Sequence, residues 1–116
     1  MLSAVFGIAR SGMEAAVTRL SVAANNISNM NTDGFKAALT MDVEGPAGLG
    51  VRTTIVVPPQ PGPVALGEDG RTRTLSNTDL AGDSVQIILA QRSYEANLKA
   101  FQTADQLQEA TLSLMA

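Results

Sequence analysis

Apolar residues recur through the first thirty positions at alternating spacings of four and three: Leu2, Phe6, Ala9, Met13, Ala16, Leu20, Ala23, Ile27 and Met30. Such spacing is the a/d stripe of a coiled coil, held here for about four heptads. The a positions are large (Phe6, Met13, Leu20, Ile27). The central d positions are Ala (Ala9, Ala16, Ala23), which lets a second helix approach closely. A helix of this length spans about 42 Å at roughly 1.5 Å per residue. Gly7 and Gly12 each weaken it by about 1 kcal/mol relative to Ala, so packing has to supply most of its stability.

The periodicity returns at the other end. Ile87, Tyr94 and Phe101 recur every seven residues, and Ala90, Leu98, Ala104, Leu107, Leu112 and Leu114 widen the stripe; Gln108 interrupts the repeat and Met115 resumes it. Ser76-Asn77-Thr78-Asp79 offers Asn77 or Ser76 as the N-cap, and Asp79 and Asp83 sit where carboxylates favour the positive end of a helix. Arg92, Glu95 and Lys99 are spaced for i,i+3 and i,i+4 pairing on the wet side. This second helix is predicted to be the longer, about 54 Å.

Between the helices, Val51 to Val57 is rich in β-branched residues and predicts a strand. The Pro58–Pro63 run stops it, Gly67-Glu68-Asp69-Gly70 marks a turn, and Arg71 to Leu75 predicts a second short strand. The expected fold is mainly α: two long N- and C-terminal helices forming an antiparallel coiled-coil-like rod, with one small β-hairpin and loop region between them. The segments divide at 1–34, 35–76 and 77–116, with all five Pro in the middle one. Much of the seam in such a rod stays open unless other copies or other proteins cover it, so the sequence is built to associate.

Composition narrows the chemistry. The 116 residues include 8 Lys and Arg against 11 Asp and Glu, a formal net charge of −3, and no Cys, His or Trp. A disulfide framework and a Cys/His zinc site are thereby excluded, as are a His general base and a Ser-His-Asp triad. With no basic run, nucleic acid is not an expected partner, because its binding needs clustered positive charge. Tyr94, Phe6, Phe35 and Phe101 are the only aromatics, so the expected core is thin and suits slender helix packing. Val85 to Ala90 is the densest apolar patch near the C-terminal end, far short of the roughly 20 residues a membrane span needs. Met1 to Arg10 shows no basic stretch ahead of an apolar core, so no cleaved secretory peptide is expected.

The most concentrated motif is Ala24-Asn25-Asn26-Ile27-Ser28-Asn29-Met30-Asn31-Thr32-Asp33-Gly34-Phe35-Lys36. Asn competes for backbone hydrogen bonds inside a helix, but at a helix end its amide satisfies the last carbonyls and it tolerates left-handed backbone. Asn25, Asn26, Asn29 and Asn31 are therefore expected to form an Asn-rich cap, followed by a turn at Gly34 and by Phe35 folded back on the apolar stripe. A calcium loop is the sharper alternative. Asn29, Asn31, Asp33 and Gly34 match positions 1, 3, 5 and 6 of the EF-hand template, but position 12 is Thr40 rather than the bidentate Glu, so tight calcium binding is not expected. Phosphate-cradling glycine motifs are absent. Glu68 and Asp69 are adjacent carboxylates in a turn, which points them apart and suits solvated charge. Tyr94 reads as a core or interface residue, and Met13, Met30 and Met115 as packing. No cofactor, metal or small-molecule substrate is expected.

Ser11-Gly12-Met13-Glu14-Ala15-Ala16 through Arg19-Leu20, then Ala24 to Asn29 and Asn31 to Lys36, resemble the N-terminal signature of bacterial flagellar rod and hook proteins. Ser76-Asn77-Thr78-Asp79-Leu80-Ala81, followed by Ala90-Gln91-Arg92-Ser93-Tyr94-Glu95-Ala96-Asn97 and Gln102-Thr103-Ala104-Asp105-Gln106, resembles that family's C-terminal signature. The middle, from Gly48-Leu49-Gly50-Val51-Arg52 to Pro58, is similar to the short linker of proximal-rod members, and leaves no room for the large inserted domains of hook and distal-rod proteins. Ser28 stands where the family usually has Ala. The resemblance implies a structural, non-enzymatic subunit of the basal-body rod. It implies passage through the flagellar type III export channel without a cleaved signal, and stacking in a helical tube across the periplasm that transmits torque and surrounds the export conduit. The implied partners are other rod and axial proteins and copies of itself, in a homo- or hetero-oligomer, with the terminal helices in an inner coiled-coil layer.

The seam expected to carry this assembly is Phe6, Met13, Leu20 and Ile27 on the first helix and Ile87, Tyr94, Leu98 and Phe101 on the second. A rod-like paralogue, or a helical adaptor that oligomerises through this seam without entering a filament, is the alternative reading. A carboxylate hydrolase using Glu68 and Asp69 has only their adjacency behind it. If apolar burial against neighbours orders the helices, at roughly 25 cal/mol per Å², helicity by circular dichroism will rise with concentration in step with sedimenting mass. A fully helical monomer at high dilution would contradict this.

Overall fold

The N-terminal stripe forms one helix, α1 (Leu2–Ser28), and the C-terminal stripe a longer one, α2 (Leu80–Met115). The computed structural model describes residues 2–115. Four short strands lie between the helices: β1 (Leu39–Glu44), β2 (Val51–Val56), β3 (Val64–Leu66) and β4 (Thr72–Thr74). They pair antiparallel as two separate hairpins, β1–β2 and β3–β4. The molecule measures 79 × 24 × 14 Å, with a radius of gyration of 20.2 Å, against about 13 Å for a compact chain of roughly this length. It is a rod. Within it α2 accounts for about 54 Å. The β3–β4 hairpin extends the end opposite the C-terminus of α2, tied there by Gly34 N to Thr74 O (2.9 Å) and by Arg73 to Asp33 (3.7 Å).

The two helices run antiparallel. Phe6 meets Phe101 edge-on, with ring centroids 4.9 Å apart. Arg19 Nη1 donates to Gln86 Oε1 (3.5 Å), and Asn26 Nδ2 to Asp83 Oδ1 (3.2 Å). Small residues make the seam: Ala9, Ala16 and Ala23 are buried on α1, and Ala90 and Ala104 on α2. Gly12 belongs to it too, since a Cβ there would lie 2.5 Å from Asn97 Cγ. Larger residues flank the seam. Phe6, Met13, Ile27, Ile87 and Phe101 are half-buried, whereas Leu20, Tyr94 and Leu98 remain 41%, 39% and 37% exposed. No helix among the described residues is long and apolar enough to cross a membrane.

The β1–β2 hairpin lies along α1. Its loop turns through Gly45 to Gly50, with Gly45 N donating to Gly50 O (3.0 Å). Gly50 adopts a left-handed φ of +73° against Ser11, where a Cβ would lie 2.5 Å from Ser11 Oγ. The Ser11 hydroxyl accepts from Val51 N (3.1 Å) and donates to Ile8 O (2.7 Å). Further along, Arg19 forms an ion pair with Asp42 of β1.

Three local expectations are corrected. The middle segment holds two hairpins rather than one: Val51–Val56 pairs with the preceding Leu39–Glu44, not with the strand near Arg71. The Gly45–Gly50 loop closes a shorter stretch of chain than a crossing over the Pro58–Pro63 run, which keeps the closure entropy low. The α2 N-cap is Asp79, whose Oδ1 accepts from Gly82 N (3.1 Å), rather than Asn77 or Ser76. Glu95 receives Gln91 Nε2 (3.5 Å) in place of the expected Arg92 or Lys99.

Gly7 and Gly12 have opposite environments, since nothing lies within 4 Å of a Cβ at Gly7. Gly7→Ala is expected to raise stability by up to about 1 kcal/mol. Gly12→Leu is expected to lower it by about 1–3 kcal/mol, because the side chain overpacks the seam. Urea-denaturation midpoints followed by circular dichroism will check both.

Candidate functional site

At the end of α1 the chain reverses, and the polar groups freed there have to be paired. Asn26 does most of this. Its side chain is 1% exposed, the one buried polar residue among those described. Its Oδ1 accepts from Ala38 N (3.0 Å) while its Nδ2 donates to Ala38 O (2.9 Å), a two-pronged bond to the segment entering β1. The same Nδ2 reaches Asp83 on α2, and the Asn26 carbonyl accepts from Thr78 Oγ1 (2.9 Å). Asn77 completes the knot. Its Oδ1 accepts from Ala37 N (2.6 Å), its Nδ2 donates to Gln60 O (2.8 Å), and its backbone N–H donates to Phe35 O (3.2 Å). No buried side-chain nitrogen or oxygen among the described residues lacks a partner.

Asn25 and Asn29 cap the helix end locally. Asn29 Nδ2 donates to Asn25 O (2.9 Å) and Thr32 Oγ1 donates to Asn29 Oδ1 (3.0 Å), so one terminal carbonyl of α1 is satisfied by a side chain. Gly34 takes a left-handed φ of +74°, Phe35 is half-buried, and Asn31 is exposed. Thr40, the twelfth position of the calcium-loop template, lies in β1 opposite Ile55. Asn26 itself sits inside α1 and is a tertiary clamp rather than a cap. A sequence signal for it existed: Gly12, Arg19 and Asn26 recur every seven residues beside the alanine seam, and each meets another element. Glu68 and Asp69 occupy the exposed turn between β3 and β4, where Asp69 Oδ1 accepts from Arg71 N (3.1 Å).

Two grooves flank the helix pair. One, of about 580 Å³, lies between α1, α2 and the β1–β2 hairpin and is lined by Ser11, Gly12, Arg19, Asp42 and Asn97 among others. The other, of about 390 Å³, is free of hairpin residues and is apolar, with Val17, Leu20, Ile87 and Tyr94 along it. Of the predicted seam residues, Leu20, Ile87 and Tyr94 therefore share one open groove, and Phe6 and Phe101 meet edge-on. Leu98, Met13 and Ile27 lie at the flanks of the pair.

Residues 6–36 match the family model of the flagella basal body rod protein, and residues 74–114 match that of the flagellar basal body rod FlgEFG protein C-terminal region. The chain is 30% identical to the flagellar basal-body rod protein FlgC of Salmonella typhimurium over an alignment of 128 residues, covering 95% of each chain. It is 31% identical to that of Yersinia enterocolitica, with the same coverage. The chain belongs to the flagellar basal-body rod protein family. It is a structural subunit of the rod, in the flagellar basal body. The two matched spans of this rod protein hold most of α1, Asn26 and Asn77 of the knot and nearly all of α2, while the hairpins and the knot partners Ala37, Ala38 and Gln60 fall almost wholly outside them. Asn26→Leu orphans both Ala38 backbone groups and is expected to cost about 2–4 kcal/mol. Thermal unfolding will check this, together with faster amide exchange at Ala38.

Proposed function

We propose that this rod subunit assembles through the open flank of its helix pair. Copies of the chain and other axial proteins cover Val17, Leu20, Ile87, Tyr94 and Leu98, and the result is a helical tube that transmits torque and surrounds the export conduit. The observation that carries this reading is the division of labour between residue sizes. Ala9, Gly12, Ala16, Ala23, Ala90 and Ala104 fill the internal seam, while a line of larger apolar residues stays exposed beside it. Burial of that line is worth roughly 25 cal/mol per Å², a driving force available only on association. A heterologous contact repeated with a rotation that does not close yields a filament rather than a ring.

In this reading the subunit crosses the envelope by the flagellar export route without a cleaved signal, lies in the periplasmic rod, and performs no catalysis. The half-buried seam residues Phe6, Met13, Ile27 and Phe101 keep the two helices in register so that the flank is presented straight. The Asn25–Phe35 turn holds the polar end of the pair closed.

Leu20→Glu combined with Tyr94→Glu places charge on the open flank without touching the alanine seam. The purified variant is expected to match the circular dichroism of the wild-type chain at high dilution, where neither is assembled, while swimming in soft agar is lost and the chain disappears from purified basal bodies. Normal motility with normal incorporation would overturn the proposal. A wild-type chain that supports motility from outside the basal body would favour the adaptor reading.

A further inference from the structure

A second line of uncharged residues runs along α2, off the seam. Ala96, Ala100, Thr103, Leu107, Ala110 and Leu114 recur at alternating spacings of four and three, and Leu89 and Ser93 carry the same spacing back toward the start of the helix. Such spacing keeps all eight on one face. That face is exposed throughout, with Leu89, Leu107 and Leu114 at 50%, 55% and 88%. It runs for about 37 Å without a charge. The β1–β2 hairpin rests on α1 through Ser11 and Arg19 and leaves it open. The stripe and the open flank lie on opposite sides of the helix pair. Leu89 and Ser93 border the groove of about 580 Å³, whereas Leu20, Ile87 and Tyr94 border the one of about 390 Å³.

The two surfaces complement each other in size. The middle of the stripe is small (Ser93, Ala96, Ala100, Thr103), and the flank is large (Leu20, Ile87, Tyr94, Leu98). Large side chains of one surface can enter between small residues of the other, as knobs into holes. They also complement each other in charge. Beyond Asp83, α2 carries Arg92, Glu95, Lys99, Asp105 and Glu109, none of them in an ion pair among the described residues. At about 100° per residue, Arg92 and Lys99 border the stripe. By the same turn, Glu95 and Glu109 border the side of the open flank and Asp105 lies on it, and Glu95 lines the apolar groove itself. One side of α2 is therefore edged with cations and the other with carboxylates.

We propose that the open flank of one copy receives the α2 stripe of a second copy lying alongside in the same direction, with Ala96 and Ala100 of the stripe against Tyr94 and Leu98 of the flank and Lys99 beside Glu95. This rests on the rod reading and names the surface that fills its open flank. A neighbour in that orientation brings its basic edge to the acidic edge of the first copy. Each copy offers the flank on one side and the stripe on the other, so the contact is heterologous and repeats from copy to copy around the rod axis.

The chain has no cysteine, so engineered pairs report cleanly. A mixture of Ala96→Cys and Leu98→Cys chains, oxidised at high concentration, is expected to give a mixed cross-linked dimer well above that from Glu68→Cys with Leu98→Cys. Chains carrying both Ala96→Cys and Leu98→Cys are expected to give a ladder of multimers. Charge supplies a second readout. Lys99→Glu and Glu95→Lys are each expected to weaken self-association in sedimentation on the order of fivefold. Mixing the two variant chains restores it, because each then meets an opposite charge on its neighbour; a defect confined to one helix is not repaired by a second chain. Yields equal to the Glu68 control, or mixing without recovery, overturn the contact. An Ala96→Cys chain joined in basal bodies to a different protein, and not to a second copy, overturns the choice of partner. Recovery of the unaltered chain in purified basal bodies is scored separately. Presence there with only control-level Ala96–Leu98 cross-linking overturns the contact alone, and absence there with the cross-link formed overturns the rod reading alone.

Discussion

Close approach of two helices through alanine and glycine governs the rest of this molecule. Ala9, Gly12, Ala16 and Ala23 on α1 leave no side-chain bulk between the axes, and Ala90 and Ala104 do the same on α2. Small residues permit intimate packing but remove little apolar area from water each, so the seam sets geometry more than it supplies driving force. The bulky residues that would form a core in a globular domain are displaced to the flanks. Leu20, Tyr94 and Leu98 are exposed for the same reason that Ala16 and Ala90 are not.

A seam of near-identical small residues is tolerant of slippage, and the polar knot supplies what the alanines lack. Asn26 is buried with its bonds to Ala38, Asp83 and Thr78 all made. A shift of the helices by one turn would strand that amide away from water without partners, a cost of several times a typical hydrogen bond. The buried amide therefore specifies register, in the way that single buried polar residues do in coiled coils. Asn77 and the Asp79 cap fix where α2 begins relative to that point.

The family relationship follows the same division. The spans matched to the rod protein models contain the seam together with Asn26 and Asn77 of the knot, which define a straight antiparallel pair with one end closed. The intervening residues, where the hairpins lie, are attached to that scaffold by a few polar ties at Ser11, Arg19 and Asn26. The scaffold is thus separable from the appendage, and an appendage held by so few contacts can vary in length without disturbing the helix pair.

The heptad spacing in the sequence determined both helices and the close-packing role of Ala9, Ala16 and Ala23, because a 3.5-residue repeat of apolar positions has few other physical outcomes. Gly34 as a turn and Asp79 near a helix start were legible too, since left-handed backbone and helix-end electrostatics are local matters. The pairing of Val51–Val56 was not. The strand LTMDVE carries two acids and shows its partner only through register, and which neighbour it meets depends on loop closure around Gly45–Gly50. Asn26 is the clearest case. Its side-chain type suits a cap, and only tertiary structure brings Ala38, Asp83 and Thr78, as many as 57 residues away in sequence, close enough to make it a buried clamp.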